Sequence, residues 1–229
     1  MKDSTEIVCV LDRSGSMTSI LDDAIGGFNT FLKTQQDTPG EAVMSVVLFD
    51  NEFELVHKAK PLHDIPPFNH STFVPRGSTA LLDAVGLTIR EIGVRLAALP
   101  ESERPNKVLF VILTDGHENA SNHYTPEQIN EMITHQRNVY KWEFLFLAAN
   151  QDAFTVSERL GIARGNSLNF QASSDGTQKM YRRMSNASSY YRSLEKERQD
   201  VKTDNLFADS SDEDDEQGDQ QGDNQTRVF

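Results

Sequence analysis

The tightest constraint on this chain is a short apolar run, Ile7-Val8-Cys9-Val10-Leu11, that stops at an aspartate and opens into Asp12-Arg13-Ser14-Gly15-Ser16-Met17. A nearly unbroken apolar run of this length reads as a strand covered on both faces of a parallel sheet. A helical pattern follows from about Thr18, with Ile20, Leu21, Ala24, Ile25, Phe28, Phe31 and Leu32 as its apolar positions. In open α/β sheets, ligands bind beyond the carboxyl ends of the strands, where this loop falls. Asp12, Ser14 and Ser16 alternate with Arg13 and Gly15, so an extended turn can aim three oxygens the same way. An all-oxygen set suits a hard dication such as Mg2+ or Mn2+; soft or imidazole-seeking metals want Cys or His.

Asp-x-Ser-x-Ser after a buried first strand resembles the metal-ion-dependent adhesion site (MIDAS) of von Willebrand factor A (VWA) domains. The two further pieces of that motif follow in order. A threonine, Thr79, stands in Arg76-Gly77-Ser78-Thr79-Ala80-Leu81, and an aspartate, Asp115, in Leu113-Thr114-Asp115-Gly116. The resemblance covers about residues 5–200 and is to standalone intracellular members of the bacterial and viral type. It implies a metal set of Asp12, Ser14, Ser16, Thr79 and Asp115. In that family pattern Ser14, Ser16 and Thr79 bind directly through hydroxyls, and Asp12 and Asp115 act largely through water. Neutral direct ligands leave the charge of a Mg2+ or Mn2+ cofactor under-compensated along one open direction. An incoming carboxylate then gains a strong contact, although desolvation takes back much of it. The resemblance therefore implies a non-catalytic module that captures an Asp or Glu of a protein partner, as an adaptor in a larger complex. Some relatives work beside ATP-driven ring proteins that insert metals or remodel complexes, or in stress-resistance systems.

Along the rest of the chain, strand and helix alternate. Strands are expected at 42–49, 52–58, 107–113, 142–149 and 167–170. Helices are expected from the first loop to about Lys33 and at about 80–98, 126–138, 154–160 and 176–202. Thr125 reads as a helix cap with Pro126 at the first helical position. The mixed polarity of 52–58 and the tight Asp50-Asn51 turn mark an antiparallel edge strand. The fold class is thus α/β: a doubly wound, mostly parallel six-stranded sheet with one antiparallel edge strand and helices on both faces, Rossmann-like as in VWA domains. On the last helix, Met180, Met184, Ala187, Tyr191 and Leu194 form a core stripe. Lys179, Arg182, Arg183, Arg192, Lys196 and Arg198 read as its solvated face.

Two units are expected, a domain over 1–203 and a disordered acidic tail over 204–229. The net charge is −13, and Asp209 to Asp223 holds eight of the acidic residues with no basic one, so the remainder is only mildly acidic. No basic excess points to nucleic acid, and no run of eighteen apolar residues points to a membrane span. The N-terminus shows no secretory leader and Cys9 is the lone cysteine, so a reducing, cytoplasmic location is expected.

Single residues have simpler readings. Asp83, four residues after Thr79, is a first-turn charge on a helix dipole. His117, with Glu118 beside it, follows Asp115-Gly116. It supplies the one enzymatic alternative, a metal-dependent hydrolase in which a rim histidine acts as base. The other histidines have no metal-ligand spacing, and neither a phosphate-cradling Gly-x-x-x-x-Gly-Lys loop nor a Gly-x-Ser-x-Gly elbow is present. No catalytic residue is assigned, and an enzyme is not expected.

Overall fold

The computed structural model describes residues 4–149, 152–195 and 203–210. The first strand, β1 (Ser4–Asp12), is the middle of a six-stranded sheet. It is followed by a 3-10 segment (Gly15–Ile20), α1 (Leu21–Asp37), β2 (Glu41–Phe49) and β3 (Phe53–Pro61). Next come α2 (Leu81–Ala98), β4 (Lys107–Thr114), α3 (Pro126–His135) and β5 (Glu143–Ala149). The chain then forms α4 (Ala153–Arg159), β6 (Ser167–Phe170), α5 (Ser174–Ser193) and α6 (Leu206–Asp209).

The strand order is β3-β2-β1-β4-β5-β6, and only the β2–β3 pairing is antiparallel. From β1 the chain winds outward to β2 and β3, then returns across the sheet to β4. The crevice between the carboxyl ends of β1 and β4 is therefore the topological switch point, where the loops 12–16 and 114–124 leave the sheet. Side chains of β1 alternate between two cores. Ile7, Cys9 and Leu11 pack with α1, α5 and α6, while Val8 and Val10 pack with α2, α3 and α4. Both faces of β1, β4 and β5 are covered, which is why their sequences are apolar without alternation.

The expected edge strand is present and antiparallel, running to Pro61 with register irregularities opposite Val46 and with Ala59 at φ 45°. Thr125 caps α3 in a reciprocal capping box with Gln128, and Pro126 opens the helix as expected. Among the described residues no helix is long and apolar enough to cross a membrane.

Two expectations need correction. Arg192 is not on a solvated face. It is buried, and its guanidinium donates to the carbonyls of Gln35 (2.6 Å), Thr38 (3.0 Å) and Gly40 (3.0 Å). A helical charge is drawn inward here because α1 ends beside α5, leaving carbonyls that a fork of donors can satisfy. In turn, the Lys107 ammonium donates to the carbonyls of Arg192 (2.5 Å) and Leu194 (2.7 Å), where α5 stops at Ser193 rather than running to Lys202. Lys196 and Arg198 lie outside the described residues.

The second correction concerns where the tail begins. Residues 203–210, read as tail from 204 on, form a turn and α6, with Leu206 and Phe207 buried in the core beside α5. Two apolar residues in a polar stretch are enough to anchor one helical turn. Asn166 holds the segment at both ends, donating to the Thr203 carbonyl (2.7 Å) and accepting from the Leu206 N–H (2.8 Å). The remainder of the acidic stretch, 211–229, lies outside the described residues.

The same segment carries a pH dependence. Glu143, at the start of β5, accepts from the Thr203 hydroxyl, and Arg137 pairs with Asp204 while its Nε lies 3.8 Å from Glu143. Burial pushes the Glu143 carboxyl up to about 7, against the opposing pull of Thr203 and Arg137. Its folded pKa exceeds its unfolded one, so the stability it contributes is complete below the unfolded value of 4.5 and is lost as pH rises through about 7. Between pH 5 and pH 8 the natural chain is expected to lose about 1–3 kcal/mol more than Glu143→Gln, read from urea unfolding midpoints. Equal slopes for the two proteins would remove Glu143 as the cause.

Candidate metal centre

Asp12 ends β1 fully buried, and its carboxylate spans two loops. One oxygen accepts from the Ser14 N–H (2.6 Å), fixing the turn, and the other accepts from the Thr114 hydroxyl at the end of β4 (2.6 Å). Burial pushes the Asp12 carboxyl above its ordinary value despite these bonds. Ser14 Oγ lies 3.1 Å from Ser16 Oγ, and Ser16 in turn donates to Asp115 Oδ1 (2.6 Å). Asp115 is pushed up to about 6, first by burial and then by the charge of Asp12. Ser16 is exposed, whereas Asp12, Ser14, Thr79 and Asp115 are buried, so the cluster opens to solvent on the Ser16 side.

Thr79 reaches the cluster from the loop before α2. Its N–H donates to the Asn119 side chain (2.9 Å) and its carbonyl accepts from the Asn119 N–H (3.0 Å), pinning it to the loop after β4. Gly116 shows how closely the groups converge. A Cβ built on it would lie 3.1 Å from Thr79 Oγ1, 3.4 Å from Ser16 Oγ and 4.0 Å from Ser14 Oγ. Three hydroxyls thus lie within 4.0 Å of one point that only a glycine leaves open. All five residues singled out in the sequence meet here.

The sequence reading missed the clamp that holds the loops in register. Arg13, between two residues of the cluster, is buried and donates to Asp50 (3.0 Å) and Glu54 (2.6 Å). Asp50 also accepts from Arg76 Nε (2.8 Å) and from the Glu52 N–H (2.7 Å), and its carbonyl takes the Ala80 N–H (2.9 Å). Burial pushes Asp50 up, but the Arg76, Glu52 and Arg13 donors outweigh it and hold the carboxyl below its usual range. The Gly15 N–H meets the Gly77 carbonyl at 3.2 Å. Gly77 sits at φ 66°, where a Cβ would fall 2.0 Å from the Asn51 side chain. The only signal for this clamp was a charged residue inside the Asp-x-Ser-x-Ser loop.

Asp83 does more than complement a dipole. It accepts from the backbone of Asn122, His123 and Tyr124 (2.9, 2.9 and 3.0 Å) and contacts His123 Nδ1 at 2.9 Å, tying down the loop after β4. These donors hold its carboxyl below the usual range against the upward push of burial. Glu118 is engaged in the same way, by the N–H groups of Leu82, Ala120 and Ser121 and by the Ser121 hydroxyl. His117 is exposed at the rim.

Chemically the set is two buried carboxylates and three hydroxyls, all hard oxygen donors, with no imidazole or thiolate in the cluster. Among the described residues no group of three or more His, Cys, Asp or Glu side chains gathers as a metal cluster, and this site itself has two carboxyls, its other oxygens being hydroxyls. Two neighbouring carboxyls, Asp12 raised by burial and Asp115 by burial and the charge of Asp12, are an arrangement that a dication relieves. The residues therefore fit a small hard cation.

A scan against protein-family models and a search of curated proteins return no match. Solved structures do match. A von Willebrand factor type A protein from Catenulispora acidiphila superimposes with a TM-score of 0.55 at 14% identity, over 82% of this chain and 43% of that one. The fold is the VWA fold. The ArnB paralog VWA2 from Sulfolobus acidocaldarius gives 0.53 at 14% identity, over 82% and 45% of the two chains. Proximal thread matrix protein 1 from the mussel byssus, in a form with a zinc-occupied MIDAS motif, gives 0.54 at 15% identity, over 82% and 46%. This chain spans less than half the length of these neighbours, and at such identities the likeness is one of fold.

Proposed function

We propose that this chain is a non-catalytic protein-binding module whose five clustered residues form a MIDAS, with Ser14, Ser16 and Thr79 holding Mg2+ or Mn2+ and Asp12 and Asp115 supporting it from behind. The observation that carries this reading is the convergence of three hydroxyls on one point, backed by two buried carboxyls and open on the Ser16 side. The zinc-occupied MIDAS motif of the mussel protein supports a divalent ion at such a motif. When bound, the ion would supply an exposed positive charge for an acidic side chain of a partner protein. The chain's own residues do the rest: Asp12 fixes the turn, Ser16 bridges to Asp115, and the Arg13–Asp50–Arg76 clamp keeps Thr79 against the first loop. With Cys9 fully buried and alone, we place the module in the cytoplasm, as an adaptor within a larger complex.

Calorimetric titration of chelator-stripped protein with Mg2+ and Mn2+ tests the site directly. Uptake of one ion per chain is expected, and it is expected to vanish in Asp12→Ala and in a Ser14→Ala, Thr79→Ala double variant that keep their melting temperatures. Absence of uptake by the natural chain would end the proposal. Turnover of phosphoester or peptide substrates that disappears in His117→Ala would replace it with a hydrolytic one.

A further inference from the structure

At the pole opposite the candidate metal centre, the amino ends of β4 and β5 carry a groove of about 750 Å3 between α2 and α3. Trp142 and Tyr140 line it on one side and Gly93 and Ala97 of α2 on the other, with Arg104 and Lys141 also in its wall. On the aromatic side Trp142 stacks on Phe110 at 5.4 Å between centroids and Tyr140 leans on Trp142 at 6.4 Å. Four large apolar side chains are exposed among the described residues; two of them line this groove and a third is next in sequence to a lining residue. They are Val139 (56% exposed) and Tyr140 (56%) on one wall, and Val94 (66%), next to Gly93 on α2. Clustered exposed apolar surface of this kind marks a docking site more often than chance. Arg104 donates to the Leu99 and Ala97 carbonyls and Lys141 to the Asn138 carbonyl, and neither has an ion-pair partner among the described residues.

We infer that the segment Thr226-Arg227-Val228-Phe229 of this same chain docks in the groove, with the acidic residues before it running past Arg104 and Lys141. Three observations on the chain choose this occupant. Residues 211–229 contain only two large apolar side chains, Val228 and Phe229, preceded by seven carboxylates at 212–216, 219 and 223. An apolar pair behind an acidic stretch complements an aromatic groove whose wall carries Arg104 and Lys141 against one acidic residue, Glu101. The chain also passes near the groove, because Asp204 pairs with Arg137, whose sequence neighbours Gln136 and Val139 line it, before turning into α6 against α5. Residues 211 to 229 can span roughly 60 Å at about 3.3 Å each, about twice the length of the 18-residue α2, which is about 27 Å at about 1.5 Å per residue. A tethered segment needs little intrinsic affinity, since its effective concentration is on the order of millimolar. A second copy is disfavoured as occupant by the net charge of −13.

The test places a nitroxide at Gln225→Cys in the full 15N-labelled chain, with the fully buried Cys9 unmodified. The expected result is loss of the Trp142 indole and Tyr140 amide signals, restored in the same chain carrying Val228→Asp and Phe229→Asp. The double variant is required to keep the melting temperature of the natural chain. Unchanged Trp142 and Tyr140 signals, or signals lost equally in the Asp double variant, would overturn the inference. So would signal loss centred on Gly15 and Gly116, which would give the segment to the metal centre. Signal loss in a mixture of nitroxide-bearing unlabelled chains with nitroxide-free 15N chains would assign the groove to a second copy and overturn it as well. All arms are run without divalent ions, so the outcome is independent of the proposed metal function.

Discussion

Gly116→Ala is expected to fold as the natural chain does and to lose about 100-fold in Mg2+ and Mn2+ affinity, about 2.8 kcal/mol. The backbone permits the change, since Gly116 is not among the glycines with positive φ. The obstacle is at the centre of the site. The added methyl would lie 3.1 Å from Thr79 Oγ1 and 3.4 Å from Ser16 Oγ, closer than carbon and oxygen pack comfortably, so the hydroxyls must move apart. Oxygen ligands close to about 2.1 Å around Mg2+ and demand near-octahedral order, so donors pushed outward lose the ion rather than adapt to it. Calorimetry on natural and variant chains, with thermal unfolding of the metal-stripped forms as control, decides the matter. Equal affinities would show that an ion, if taken up, is not held where the three hydroxyls converge.

Arg192→Ala is expected to cost about 3 kcal/mol of stability while leaving divalent-ion affinity unchanged. The guanidinium is buried and joins the last turn of α5 to the end of α1 through the carbonyls of Gln35, Thr38 and Gly40. Truncation strands those carbonyls in a site shaped for a planar fork, and Lys cannot replace a fork with a point charge. For a chain of this size, each kcal/mol moves the melting temperature by roughly 2–4 °C, so a fall of about 6–12 °C is expected by calorimetric scan, with Arg192→Lys intermediate. A fall of less than about 2 °C would show that water serves these carbonyls as well as the side chain does.

The contrast between these residues shows what a one-dimensional reading can reach. The convergence of Asp12, Ser14, Ser16, Thr79 and Asp115 was legible because each stands at a strand end or helix start, and such boundaries are written locally as apolar runs, glycines and caps. The doubly wound class of the sheet and its one antiparallel edge strand followed from alternation and from the short β2–β3 turn. Arg13 with Asp50 and Glu54 was not legible, because the partners lie 37 and 41 residues away and nothing local marks one arginine as a clamp. Arg192 failed for a related reason. Helical periodicity separates apolar from charged positions, and it cannot tell a charge facing water from one facing the frayed end of a neighbouring helix. Asp83 sat where a dipole argument was sufficient, yet its partners are backbone N–H groups 39 to 41 residues further on. Leu206 and Phe207 were outvoted by the polar residues around them, although two anchors suffice when a hydrophobic seat is waiting.

The clustered oxygens come from three stretches of chain, 12–16, 79 and 115, stitched together across the switch point of the sheet. No shorter piece than residues 12 to 115 contains the whole set. A chain still emerging from the ribosome, or one nicked between the first and fourth strands, would offer at most scattered hydroxyls and carboxyls. Ion capture, if the cluster provides it, would then report that the first and fourth strands have paired and that the chain between them is intact.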